Sequence, residues 1–86
     1  MSRTNDKTGP IEVWLSQPHF TVTCQVIHED QTTRTLDVES LSLRGAEREM
    51  TGWFISQGYQ PVARWKAVEG NTTEVTRMFK PAKDKS

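Results

Sequence analysis

The side chains able to do chemistry in this 86-residue chain are few and dispersed: His19 and His28, the single cysteine Cys24, and three close acid pairs, Glu29-Asp30, Asp37/Glu39 and Glu47/Glu49. A metal would need converging ligands. The two histidines fall on opposite faces of a strand that carries both, and no CxxC, HxH or HExxH spacing occurs. A nucleophilic Cys24 would need a base beside it and an electropositive setting. It alternates instead with Phe20, Val22 and Val26, an apolar set that marks a core thiol. Of the acid pairs, the first belongs to a turn, the second alternates to the outside of a strand, and the third flanks Arg48 on the polar side of a helix. None is enclosed by apolar residues that would raise a carboxyl pKa toward neutrality. Gly45 alone is no phosphate cradle. The expectation is a protein without catalytic residues, metal or cofactor, and not an enzyme.

Binding through charge is the remaining chemistry. The net charge is zero, so nothing pulls the whole molecule toward nucleic acid or anionic lipid. The charges are unevenly placed, however. Residues 11–49 hold seven acids against three arginines, and residues 50–86 hold three acids against six bases. Arg64, Lys66, Arg77 and Lys80, extended by Lys83 and Lys85, are the candidate contacts to an anion or a nucleic acid.

These residues must be positioned by the elements around them. The stretch 19–29 alternates and is β-branched, with Phe20, Val22, Cys24 and Val26 on one side; after Asp30-Gln31, residues 32–39 alternate again through Leu36 and Val38. Together they read as a hairpin. Before them, residues 11–16 alternate through Ile11, Val13 and Leu15, which reads as a short edge strand or an ordered arm with Trp14 folding over the rim. With Ser42 as N-cap, Leu43, Ala46, Met50, Trp53 and Phe54 recur at helical spacing and Gly58 ends the helix, which places Trp53 and Phe54 in the core.

Residues 60–69 and 73–80 read as a second hairpin. A two-residue loop at Gly70-Asn71 sets Arg64 against Arg77, whereas a three-residue loop, Glu69 to Asn71, pairs Trp65 with Val75 and Lys66 with Glu74. The second register is preferred. It turns Ala63, Trp65, Ala67, Val75 and Phe79 toward the helix and leaves Val62, Arg64, Lys66, Met78 and Lys80 outside, a face with no aromatic on which a base could stack. A slip of one residue would reverse this.

The expected architecture is therefore α+β: a four-stranded antiparallel sheet of two hairpins in the order β-β-α-β-β, one helix on one face, and a possible extra N-terminal strand. The other sheet face is left wet or covered by a partner. On the helix, Gly45 and Gly52 lie nearly in line with Ser56 beside them, a smooth groove through which two helices could pack in a homodimer. A pocket between helix and sheet near Trp53 and Trp65 is a third place for a ligand.

Length and composition indicate one domain over residues 11–80, with disordered tails at 1–10 and 81–86, the second basic. One cysteine allows no internal disulfide, and no apolar run suits a signal peptide or a membrane span, so the expected location is cytoplasmic.

Two resemblances follow from these motifs. The run QGYQPVARW…EVTRMFKP, with Gly58, Tyr59, Val62, Phe79 and Lys80 at the matching positions, resembles the ending of a widespread family of small bacterial domains of unknown function and implies a β-β-α-β-β fold. The stretch LDVESLSLRGAEREMTGW, through Leu43, Arg44 and Gly45, is similar in layout to the oligomerisation domain of actinobacterial nucleoid-bridging proteins, which implies self-association and an actinobacterial or phage source. That family's Arg-Gly-Arg DNA-binding hook is absent here and the tryptophan stands at a different distance, so DNA binding does not carry over. The function expected is a self-associating interaction module, or alternatively a nucleic-acid-binding accessory protein using a basic sheet face.

Overall fold

In a computed structural model, in which residues 9–82 are described, the chain runs β1 (Ile11–Ser16), β2 (Thr23–Ile27), β3 (Thr33–Leu36), α1 (Leu43–Ser56), β4 (Tyr59–Val68) and β5 (Asn71–Pro81). The expected tails at 1–10 and 81–86 thus lie largely outside the described residues. The strands form one open antiparallel sheet in the order β3-β2-β1-β5-β4, with α1 on one face. The fold is α+β as expected, but the sheet has five strands and its order corrects the expected one. Residues 11–16 are its central strand, pairing with β2 through Val13↔Val26 and Leu15↔Cys24 and with β5 through Ile11↔Phe79 and Leu15↔Val75. The physical reason lies in the alternation itself: Ile11, Val13 and Leu15 are all buried, and only a strand flanked on both sides buries every second residue so completely.

The core lies between this strand, its two neighbours and the helix. Ala46, Met50 and Phe54 face it from α1, and Phe79 is fully buried from β5, its ring centroid 4.9 Å from that of Phe54 and 6.2 Å from that of Trp65. The helix begins where Ser42, in extended conformation, accepts the N–H of Gly45 on its hydroxyl at 3.1 Å, a cap worth about 1 kcal/mol. It ends at Gly58, whose φ of 97° is a left-handed exit that glycine takes without strain.

Two expectations of burial are corrected. Phe20 is 86% exposed, because β2 starts only at Thr23 and Phe20 falls in the bend before it. Trp53 lies at the rim, 38% exposed, with its ring edge-on to Phe54 at 4.9 Å. The helix packs over β4, β1 and β5, so a residue on its flank toward β3 finds little to pack against.

The second hairpin turns at Glu69-Gly70, not over the expected three residues, and its register pairs Lys66 with Thr76 in place of Glu74 and Val75 with Ala67 in place of Trp65. Between Val62↔Met78 and Lys66↔Thr76, three residues of β4 oppose one of β5. This bulge adds two residues, so the alternation survives it and Trp65 stays on the helix side as expected. Ala63, expected to face the helix, is instead exposed within the bulge at φ 61°.

Candidate functional site

Every buried residue of the sheet points toward the helix; on the opposite face none of the described residues is buried. The register fixes what that face presents. One row across all five strands reads Thr35, Gln25, Trp14, Thr76, Lys66, and the next reads Thr33, Ile27, Glu12, Met78, Val62. Trp14 therefore stands at the centre of the uncovered face. Its indole Nε1 donates to Glu12 Oε1 at 3.2 Å, and Thr76 beside it donates its hydroxyl to the Val13 carbonyl at 3.0 Å. Met78 and Val62 are 41% and 39% exposed. A shallow cavity of about 290 Å³ opens here, walled by Glu12, Trp14, Met78 and Val62 and reached by Arg64 and Lys66.

Of the residues expected to meet an anion, Lys66 and Lys80 are on this face and Arg64 reaches it from the bulge. Arg77 does not join them. It pairs with Val13 and so points to the helix side, where its Nε donates to the Ala63 carbonyl at 2.9 Å, a terminal nitrogen donates to Thr51 Oγ1 at 3.3 Å, and the guanidinium lies 6.0 Å from the ring centre of Trp65 and 5.7 Å from that of Phe79. Burial lowers its pKa, against an opposing pull from Glu47, yet an arginine stays charged. Its role is to bind the bulge to the helix. Lys83 and Lys85 lie outside the described residues.

The helical groove is divided. A Cβ on Gly45 would stand 3.0 Å from Ser40 Oγ and 3.1 Å from Ser40 Cβ, so the chain's own capping segment uses the space that glycine leaves. Glu49 holds that segment, accepting the backbone N–H of Glu39 at 3.0 Å and of Ser40 at 2.9 Å and the Ser40 hydroxyl at 2.8 Å. These bonds lower the Glu49 pKa. Gly52 faces open space, and the Ser56 hydroxyl turns back to the Trp53 carbonyl at 2.6 Å.

Cys24 is fully buried, and desolvation, with the charge of Glu49 adding to it, pushes its thiol up to about 12. It has almost no thiolate at neutral pH. Among the described residues no three His, Cys, Asp or Glu side chains gather as metal ligands would, and no helix of the described residues is long and apolar enough to cross a membrane.

Sequence reasoning set Trp14 opposite Ile11, Val13 and Leu15 but at the rim of the sheet, whereas it stands at the centre. Its place follows from β1 pairing on both sides, and the only signal was the uninterrupted alternation of Ile11, Val13 and Leu15. Comparison of the chain with protein-family models, with curated proteins and with solved structures finds no match.

Proposed function

We propose that the protein is a non-enzymatic interaction module that forms a homodimer through the uncovered face of its sheet. The observation that carries this reading is Trp14, a large aromatic at the centre of a face on which no described residue is buried. Assembly edge to edge is disfavoured at both ends of the sheet. β3 is only four residues long and turns Arg34 inward, while β4 carries Pro61 and the bulge. A face meeting its own copy about a two-fold axis must be complementary to itself. About an in-plane axis near Trp14 that runs diagonally to the strands, Glu12 on the central strand and Lys66 on the outer strand β4 would come into opposition, with Met78 and Val62 closing around the indoles. Self-association is also what the resemblance through Leu43, Arg44 and Gly45 implies.

Sedimentation equilibrium near about 10 μM tests the reading. The wild type is expected to be a dimer, Lys66→Glu a monomer, and the double exchange Glu12→Lys/Lys66→Glu a dimer again, because both charges reverse together. A wild-type monomer at all concentrations, or a Lys66→Glu protein that stays dimeric, would remove the proposal.

One observation favours a second reading. An indole on a sheet face with Arg64, Lys66 and Lys80 on the same side is a platform on which a single-stranded nucleic acid could stack a base and place its phosphates. Glu12 at the indole edge weighs against a polyanion. If this reading holds, a short single-stranded oligonucleotide binds, weakens steeply with salt and loses affinity on Trp14→Ala.

A further inference from the structure

The helix lies toward β4, which leaves the β2–β3 end of the core face roofed chiefly by the Trp53 side chain. Beneath that roof is a cavity of about 140 Å³ walled by Val26, Trp53, Phe54 and Tyr59. Its polar margin includes His28 and Arg34 and no carboxylate. The placement of Arg34 is dictated by register. Arg34 pairs with Val26 and therefore shares its inward face, and His28, just past the end of β2, lines the same cavity. Arg34 has no acidic partner within ion-pair distance among the described residues, so its guanidinium stands unpaired at the mouth of an aromatic-lined space.

We propose that this cavity binds a small aromatic monocarboxylate, with the ring against the walls formed by Trp53, Phe54 and Tyr59 and the carboxylate on Arg34. The walls supply three aromatic side chains and an aliphatic floor, which suit a flat apolar body. The volume suits one ring and a short acid arm. A single guanidinium presents two parallel donors to one carboxylate, the geometry in which arginine is most selective. A dianion or a polyphosphate would bring more charge than this margin neutralises, and a peptide would be too long for a space closed at its floor by Val26. On the far side of Trp53 a wider hollow of about 470 Å³, bordered by Asp37 and Glu49, is acidic at its rim and would repel the same ligand, which favours one orientation. The proposal is independent of the dimer, whose surface lies on the other face of the sheet.

The test uses phenylacetate as probe, with phenylacetamide and phenethylamine as its neutral and cationic counterparts, and reads amide and indole N–H shifts by two-dimensional NMR. The expected result is saturable binding of phenylacetate with shifts at His28, Arg34 and the Trp53 indole. Affinity should fall about tenfold or more for phenylacetamide and on Arg34→Gln, the loss of one charge-assisted pair. Arg34 is exposed, so the variant keeps its fold. Equal affinity for acid and amide, an unchanged Arg34→Gln protein, shifts centred on Trp14 instead, or no saturable binding would each overturn it.

Discussion

Arg77 donates from Nε to the carbonyl oxygen of Ala63 at 2.9 Å, where three residues of β4 stand opposite a single residue of β5. The bond fixes a bulge whose Ala63 sits at φ 61°, a left-handed conformation that costs an L-residue roughly 1–2 kcal/mol. Ala63→Gly is therefore expected to be at least as stable as the wild type, since relief of that cost offsets the added freedom of the unfolded chain. Ala63→Val, β-branched at positive φ, should lose about 2 kcal/mol or more. Urea unfolding measures both, and a valine variant as stable as the glycine variant would contradict the strained bulge.

Glu49 gives the fold a dependence on pH. Its carboxylate accepts bonds from Glu39 N–H, the Ser40 hydroxyl and Ser40 N–H, so its folded pKa lies below its unfolded value. A depressed carboxylate pKa contributes stability that is complete above the unfolded value, about 4.3, and is lost as pH falls through the folded value. Glu49→Gln should melt lower than the wild type at neutral pH and converge with it by roughly pH 2. Parallel thermal melts across that range decide it: a gap that persists into acid would place the stabilisation elsewhere.

Cys24 should be inert in the folded protein. With its thiol pushed up to about 12 from 9.0, the thiolate fraction near pH 8 falls by about a thousandfold, and burial blocks the reagent as well. Ellman's reagent is expected to label it at the rate of unfolding in buffer and at once in denaturant. Rapid labelling of native protein would show that the core around Cys24 opens.

The two helical glycines should respond differently to alanine. At Gly52 a Cβ meets nothing within 4 Å, so Gly52→Ala should gain about 0.5–1 kcal/mol, on the order of 4 °C in Tm for a domain of this size. At Gly45 the same Cβ presses on Ser40, whose hydroxyl is held by Glu49, so Gly45→Ala should recover little of that gain. If Gly45→Ala stabilises as much as Gly52→Ala, the capping segment does not lie on the helix as described.

Local periodicity made much of this legible. Ser42, Gly58 and the stripe Ala46, Met50 and Phe54 were all readable, because a helix buries residues by its own 3.6-residue period. The alternation of Val22, Cys24 and Val26 was equally plain. What stayed hidden depends on partners distant in the chain. Ile11 meets Phe79 and Leu15 meets Val75, pairings that no local pattern announces, and the central place of Trp14 follows from them. Arg77 shares the parity of Val75 and Phe79, so its inward turn was implicit in the register, but its partner Ala63 depended on a bulge with no glycine to mark it.

The pairing of β1 with β5 also governs when the domain can fold. The first strand lies at the middle of the sheet, and one of its two neighbours is the last strand. Until that strand has been synthesised, Ile11, Val13 and Leu15 are bordered on one side only, and Phe79, which fills the space beneath Phe54, is missing. A nascent chain thus carries an open edge on its most apolar strand until β5 has emerged. Closure joins residues far apart in sequence, so it contributes a late, slow step that local helix and hairpin formation cannot replace. Closure of the sheet waits on β5, and a chain cut short within β5 leaves its most apolar strand as an exposed edge.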